Sequence, residues 1–137
     1  MNIRQCARSL AKRYRTTSPF DVAERLGIII SYEQLPPHVR GFYVRVLRRR
    51  FIVINQSLRS EWKRFVCAHE LGHDRLHRGY GYYFIEEQTL FCPGRFEREA
   101  NRFAVEFLAY PDQVGPGESI RDFYLRNHIP MEIIDKT

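Results

Sequence analysis

The strongest chemical signal in this chain is the run His69-Glu70-Leu71-Gly72-His73. Histidines at i and i+4 lie one turn apart on a single helix face, so both imidazoles can reach one divalent metal ion. Glu70 is turned about 100° from His69. It can therefore reach a water held at that metal rather than the metal itself. This is the geometry of zinc-assisted peptide hydrolysis, with the glutamate as general base. With five His and 11 Glu among 137 residues, a shuffled chain would carry only about 0.014 such pentads. The pattern stands well above chance.

A catalytic zinc site usually takes three protein ligands and keeps one position open. His77 continues the one-turn spacing, but it lies roughly 12 Å of helix rise from His69 and cannot complete the same set. The longer metzincin pattern is also absent, because Leu76 and Gly79 stand where its Gly and His would be. The third ligand must come from another segment. Glu97 is the best candidate: Glu97, Ala100, Asn101 and Ala104 share one helix face, and the alanines permit close approach to the metal helix. Glu86, Glu87 and Cys92 are rival ligands. Asn101, one turn beyond Glu97, is placed to orient a ligand histidine. Glu99 is turned about 160° from Glu97 and is expected to face solvent. A donor to the oxyanion formed during peptide attack is also needed. His77, Tyr80, Tyr82 and Tyr83 are candidates, set against the plainer readings of a helix-end cap and of packing under a loop.

These residues need elements to position them. An amphipathic helix is expected from Asn2 to about Tyr14, with Ile3, Cys6, Ala7, Leu10 and Tyr14 on its apolar side. Ser18-Pro19-Phe20-Asp21 starts a second, short helix, and Gly27 supplies its stop. Ile28 to Glu33, Gly41 to Val46 and Phe51 to Asn55 read as strands. The last two form a hairpin around the basic turn Leu47 to Arg50. A long helix from Ser57 or Ser60 to about His77 carries the metal pentad. A Gly/Tyr-rich loop, Gly79 to Gly94, leads to a fourth helix from Arg95 to Leu108, whose Phe stripe and Trp62 belong to the core. The tail beyond residue 118 suggests two short helices around His128-Ile129-Pro130. The order predicts one α+β domain over residues 1–137: a three-stranded antiparallel or mixed sheet against an active-site helix and further helices, with its core at about 11–111. The strand Gly41 to Val46 is expected at a sheet edge, where it can hold a substrate peptide by strand addition.

Composition excludes several classes. At 44% hydrophobic and 28% charged residues, the chain is neither disordered nor low-complexity. Its longest aliphatic stretch, Ile28 to Ile30, is far short of a membrane span. The first 15 residues lack the apolar region of a secretory signal. They are Arg-rich like a transit peptide, but their apolar spacing serves a docking helix equally well. Cys6, Cys67 and Cys92 are too few and too scattered for a disulfide scaffold, which points to a reducing, cytoplasmic setting; Cys67 reads as a core thiol. The charge is +6, and 19 of the 22 basic residues are Arg. Such a surface suits an acidic partner, but the tail carries few basic residues and direct nucleic-acid binding is not expected.

The chain resembles the ImmA/IrrE family of zinc metallopeptidases. The resemblance spans about Ala11 to Pro111 and includes Ser18-Pro19-Phe20, Gly41-Phe42-Tyr43, Ile54-Asn55, Phe65 through His77, and Glu97 through Ala104. The fourth helix ends in Phe107-Leu108-Ala109-Tyr110-Pro111, where the family usually has Leu-Leu-Met-Pro. The resemblance implies a small zincin-like domain in which His69, His73 and Glu97 ligate zinc and Glu70 is the catalytic base. It also implies a function: limited cutting of a protein partner, such as a helix-turn-helix transcriptional repressor. The alternative is a regulatory module of the same fold that inactivates a repressor by docking without cutting.

Overall fold

A computed structural model describes residues 2–77, the backbone of 82–86, and residues 94–137. Asn2 opens the first helix, α1 (Ile3–Tyr14), by accepting the Gln5 amide on its side chain. α1 buries Ala7, Leu10 and Ala11, so this segment docks on the domain as its spacing requires. Ser18 caps α2 (Pro19–Arg25), accepting from the Asp21 amide at 3.3 Å. Pro19 fills the first position, and Gly27, at φ 78°, turns the chain out of the helix. β1 (Ile29–Glu33), β2 (Val39–Val46) and β3 (Arg49–Asn55) are the three expected strands.

They form a mixed sheet. β1 runs parallel to β3, and β3 pairs antiparallel with β2. β4 (Tyr82–Glu86) adds antiparallel to the other side of β2, giving the order β1-β3-β2-β4. Two expectations change as a result. The segment Gly79 to Gly94, read as a loop, contains a strand, because a Gly/Tyr-rich stretch shows its pairing only when β2 is beside it. Gly41 to Val46 lies inside the sheet between β3 and β4, so it is not an available edge.

α3 (Ser60–Leu76) packs across β2 and β3 on one side and against α4 (Arg95–Ala109) on the other, with α1 behind α4. The sheet, α3 and the α4/α1 pair therefore form three layers. Gly41 sets the first spacing: a Cβ there would lie 2.6 Å from the Val53 carbonyl and 2.7 Å from Val66 of α3. Gly72 sets the second, since its Cβ would lie 3.0–3.2 Å from Phe103 of α4. Phe103 is fully buried and stacked on Phe107, so it has little room to retreat. Gly72→Ala gains about 1 kcal/mol of helix propensity but overpacks this contact by roughly 1–3 kcal/mol. The variant is expected to push α3 away from α4 and to melt lower than wild type, which calorimetry measures.

After α4 the chain turns through Gly115-Pro116-Gly117 into α5 (Ile120–Arg126), capped by Ser119, and ends in a 3₁₀ turn, Met131–Ile133. The tail thus contains one short α-helix, and Pro130 confines the final residues to a single tight turn. Ile129 and Ile133 insert into the core. Arg126 of α5 is engaged by Asp112 and Glu118. Among the described residues no helix is long and apolar enough to cross a membrane.

Candidate metal centre

α3 buries His69, Glu70, His73 and Asp74 completely. The helix is sandwiched between layers, so the face carrying the histidines looks inward at α4. That proximity brings Glu97 across. Its carboxylate lies 2.8 Å from His69 Nε2 and 3.1 Å from His73 Nε2, and the two Nε2 atoms are 3.2 Å apart. Ligand atoms at zinc distances around a tetrahedral centre would lie roughly 3.3 Å apart. The spacing of these three groups fits such an ion closely.

The imidazole protons follow from the hydrogen-bond network. Asn101 Nδ2 donates to the Lys136 carbonyl at 2.9 Å, which turns its oxygen toward His69. His69 Nδ1–H therefore donates to Asn101 Oδ1 at 2.7 Å, and its Nε2 is a lone pair. At the far end of α3, His77 Nε2–H donates to Glu99 at 2.8 Å. With His77 neutral, its Nδ1 accepts from His73 Nδ1–H at 2.9 Å. His73 Nε2 then also presents a lone pair. Two nitrogen lone pairs and a carboxylate converge, an acceptor-only arrangement that a cation satisfies.

The electrostatics agree. Burial pushes the His73 imidazolium down from 6.5 to about 4, so the ring is neutral at pH 7. Burial alone would raise Glu97, but positive charge on the His69 and His73 side of its oxygens lowers it below the usual carboxylate range, a charge that a cation seated on the two lone pairs would supply. Glu70 behaves oppositely. Burial first, and the neighbouring Glu97 charge second, push its carboxyl well above 4.5. Neither Glu70 oxygen has a hydrogen-bond partner among the described residues. A buried carboxyl without partners is costly, and its atoms lie within 4.8 Å of the His69 and His73 ligand atoms. It faces the region where a metal and its water would stand. His69, Glu70, His73 and Glu97 thus form a group able to hold a divalent metal.

The structure brings together His69, Glu70, His73, Glu97, Asn101 and His77. His77 meets His73 on the side of the ring away from Glu97, and it is buried and stacked on Phe96 at 4.3 Å. Glu99 departs from expectation: it does not project freely into solvent but turns to His77, with a side chain only 26% exposed. The side chains of Tyr82, Tyr83 and Glu86, and all of Tyr80, Glu87 and Cys92, lie outside the described residues.

One cluster was missed from sequence. Asp74, fully buried next to His73, accepts from Tyr43 Oη at 2.6 Å and from Arg50 Nη1 at 3.0 Å on both oxygens, and Arg75 folds onto it at 2.6 Å. Arg50 also donates to the Leu26 carbonyl. It was expected in a solvated basic turn, but the turn is Leu47-Arg48 and Arg50 belongs to β3. The only sequence signal was an Arg adjoining a strand and an acid adjoining the metal pentad.

Comparison with known proteins agrees with this geometry. The IrrE N-terminal-like domain family, Peptidase M78, matches residues 23–109, which include α3 and α4. The chain is also 36% identical over 136 residues to the uncharacterized immunity region protein 2 of Bacillus phage phi105, an alignment covering 96% of this chain and 85% of that protein. A His-Glu-His helix meeting a Glu-bearing helix inside the matched span, and similarity along nearly the whole chain, place this protein in the Peptidase M78, ImmA/IrrE family.

Proposed function

We propose that this protein is a zinc-dependent endopeptidase that makes limited cuts in a protein partner, a DNA-binding transcriptional repressor. The observation that carries the reading is the convergence of two imidazole lone pairs and the Glu97 carboxylate beside the unpartnered Glu70 carboxyl. His69, His73 and Glu97 would hold the ion. Nitrogen and carboxylate ligands in this set favour zinc. Zinc so bound supplies Lewis acidity and brings the pKa of water to about 7. Glu70 takes the proton from the attacking water and delivers it to the leaving amine. Its raised proton affinity suits both halves of that transfer. Asn101 and His77 keep the two imidazoles in the tautomer that points Nε2 inward. The immunity region named for the phage relative supports a repressor as partner.

The test is incubation of the zinc-loaded protein with a helix-turn-helix repressor, taken from a neighbouring gene where one is encoded there. Discrete fragments that appear with wild type, and vanish with chelator or with Glu70→Gln, are expected. Silencing of the repressor without fragments, equally by wild type and Glu70→Gln, would replace cutting with docking.

A second expectation concerns the metal alone. Zinc at a hundredfold excess over its Kd should stabilise the protein by about 2.7 kcal/mol, and Glu97→Gln should lose most of that gain. Thermal melts with and without zinc check it; equal shifts in both proteins would remove Glu97 from the ligand set.

A further inference from the structure

We propose that Glu99, acting through His77, is a positioning residue that fixes His73 as a metal ligand. This rests on the reading of His73 as a ligand. The observation is a continuous chain of contacts, buried at His77 and His73 and reaching the surface at Glu99: Glu99 Oε1 to His77 Nε2 at 2.8 Å, His77 Nδ1 to His73 Nδ1 at 2.9 Å, and His73 Nε2 to Glu97 at 3.1 Å. Each link constrains the next. A carboxylate only accepts, so His77 carries a proton on Nε2, and in the singly protonated ring Nδ1 is then an acceptor. His73 must then carry its own proton on Nδ1, which leaves Nε2 to the centre.

His69 reaches the same state by a different route, through the neutral Asn101 amide and a main-chain carbonyl. The two ligand histidines are therefore supported unequally: one by a neutral amide, the other by an imidazole backed by a carboxylate. Hydrogen bonding to a carboxylate through an imidazole makes the ligand nitrogen more basic and holds its ring plane. The same helix that brings Glu97 to the centre brings Glu99 to the back of His73, two residues further on. α4 thereby grips His73 from both sides, Glu97 at Nε2 and Glu99 through His77 at Nδ1. The stacking of Phe96 on His77 holds the intermediate ring in plane.

The experiment uses the full chain with Glu99→Ala, Glu99→Gln, His77→Leu and His77→Asn. Zinc affinity is measured by competition with a chromophoric chelator, and the His73 tautomer by long-range ¹H–¹⁵N spectra of the metal-free protein. Glu99→Ala and His77→Leu are expected to weaken zinc roughly 10–100-fold and to shift His73 from the Nδ1–H form to a mixture. Glu99→Gln and His77→Asn retain an acceptor at the critical atom, so each should recover part of the affinity lost by its partner variant. Zinc binding within threefold of wild type in Glu99→Ala and His77→Leu, with His73 still in the Nδ1–H form, would overturn the proposal even if those variants melt lower. Failure of wild type to bind zinc at all would instead strike the parent reading, and the metal-free spectra would still decide the tautomer.

Discussion

Glu70→Gln is expected to lower peptide hydrolysis roughly 10²–10⁴-fold, the usual contribution of a general base, while zinc stays bound. Glutamine keeps the shape of the side chain but cannot take a proton. The companion expectation concerns folding. Glu70 is a fully buried carboxyl with both oxygens unpartnered among the described residues, so it opposes the stability of the domain that contains it. Glu70→Leu removes the polar group at similar volume and should stabilise the metal-free protein by about 1–3 kcal/mol. The sign of the pH dependence is fixed by the direction of the shift. A carboxyl whose folded pKa lies above its unfolded 4.5 favours the folded state less as pH rises from that value toward the folded pKa. The advantage of Glu70→Leu should therefore widen above about pH 4.5. Urea midpoints of metal-free wild type and variant across pH 4–8 measure it; a less stable Leu variant would mean that the carboxyl has found a partner.

Asp74→Ala should be strongly destabilising, at about 3–5 kcal/mol. Removing this carboxylate leaves the Arg50 guanidinium without its charge partner and the buried Tyr43 hydroxyl without its acceptor. Together those bonds tie the C-terminal half of α3 to β2, β3 and the end of α2, so His73 would lose its footing as well. Out of a typical total stability of 5–15 kcal/mol, the loss would be readily visible in denaturant melts. Its pH dependence has the opposite sign to that of Glu70. Burial works to raise Asp74, but the Tyr43 hydroxyl and the two arginines outweigh it and hold the carboxyl below 3.8. The stability it contributes is thus fully present above that value and fades as pH falls through the folded pKa. Wild type and Asp74→Ala should converge in strong acid; a gap that persisted there would assign the loss to packing rather than charge.

The contrast between these two acids, four residues apart on one helix, also marks where sequence reading succeeds. The meeting of His69 and His73 is legible because i, i+4 spacing is a local property that any helix converts into a shared face. Glu97 was legible through the Ala100 and Ala104 stripe, which announces a close helix contact. Nothing local announces the partners of Asp74, because Tyr43 and Arg50 stand 31 and 24 residues away and meet it only when the sheet lies under α3. β4 escaped for a similar reason: its pairing with β2 spans some forty residues, and its composition resembles a loop. Glu99 was placed by its angle from Glu97, a sound argument about one helix that omits the second. His77, at the far end of α3, reaches around to meet it.

The acceptor that orients Asn101 is the main-chain carbonyl of Lys136. A contact of this kind is invisible to side-chain mutagenesis. Replacing residue 136 by any other amino acid would leave the oxygen in place and His69 held as before. Only a change to the backbone itself would register, such as an ester in place of the amide joining residues 136 and 137, which makes that carbonyl a poorer acceptor. An alanine scan of the tail would thus report residue 136 as dispensable while the link through Asn101 to His69 stayed hidden in the peptide group.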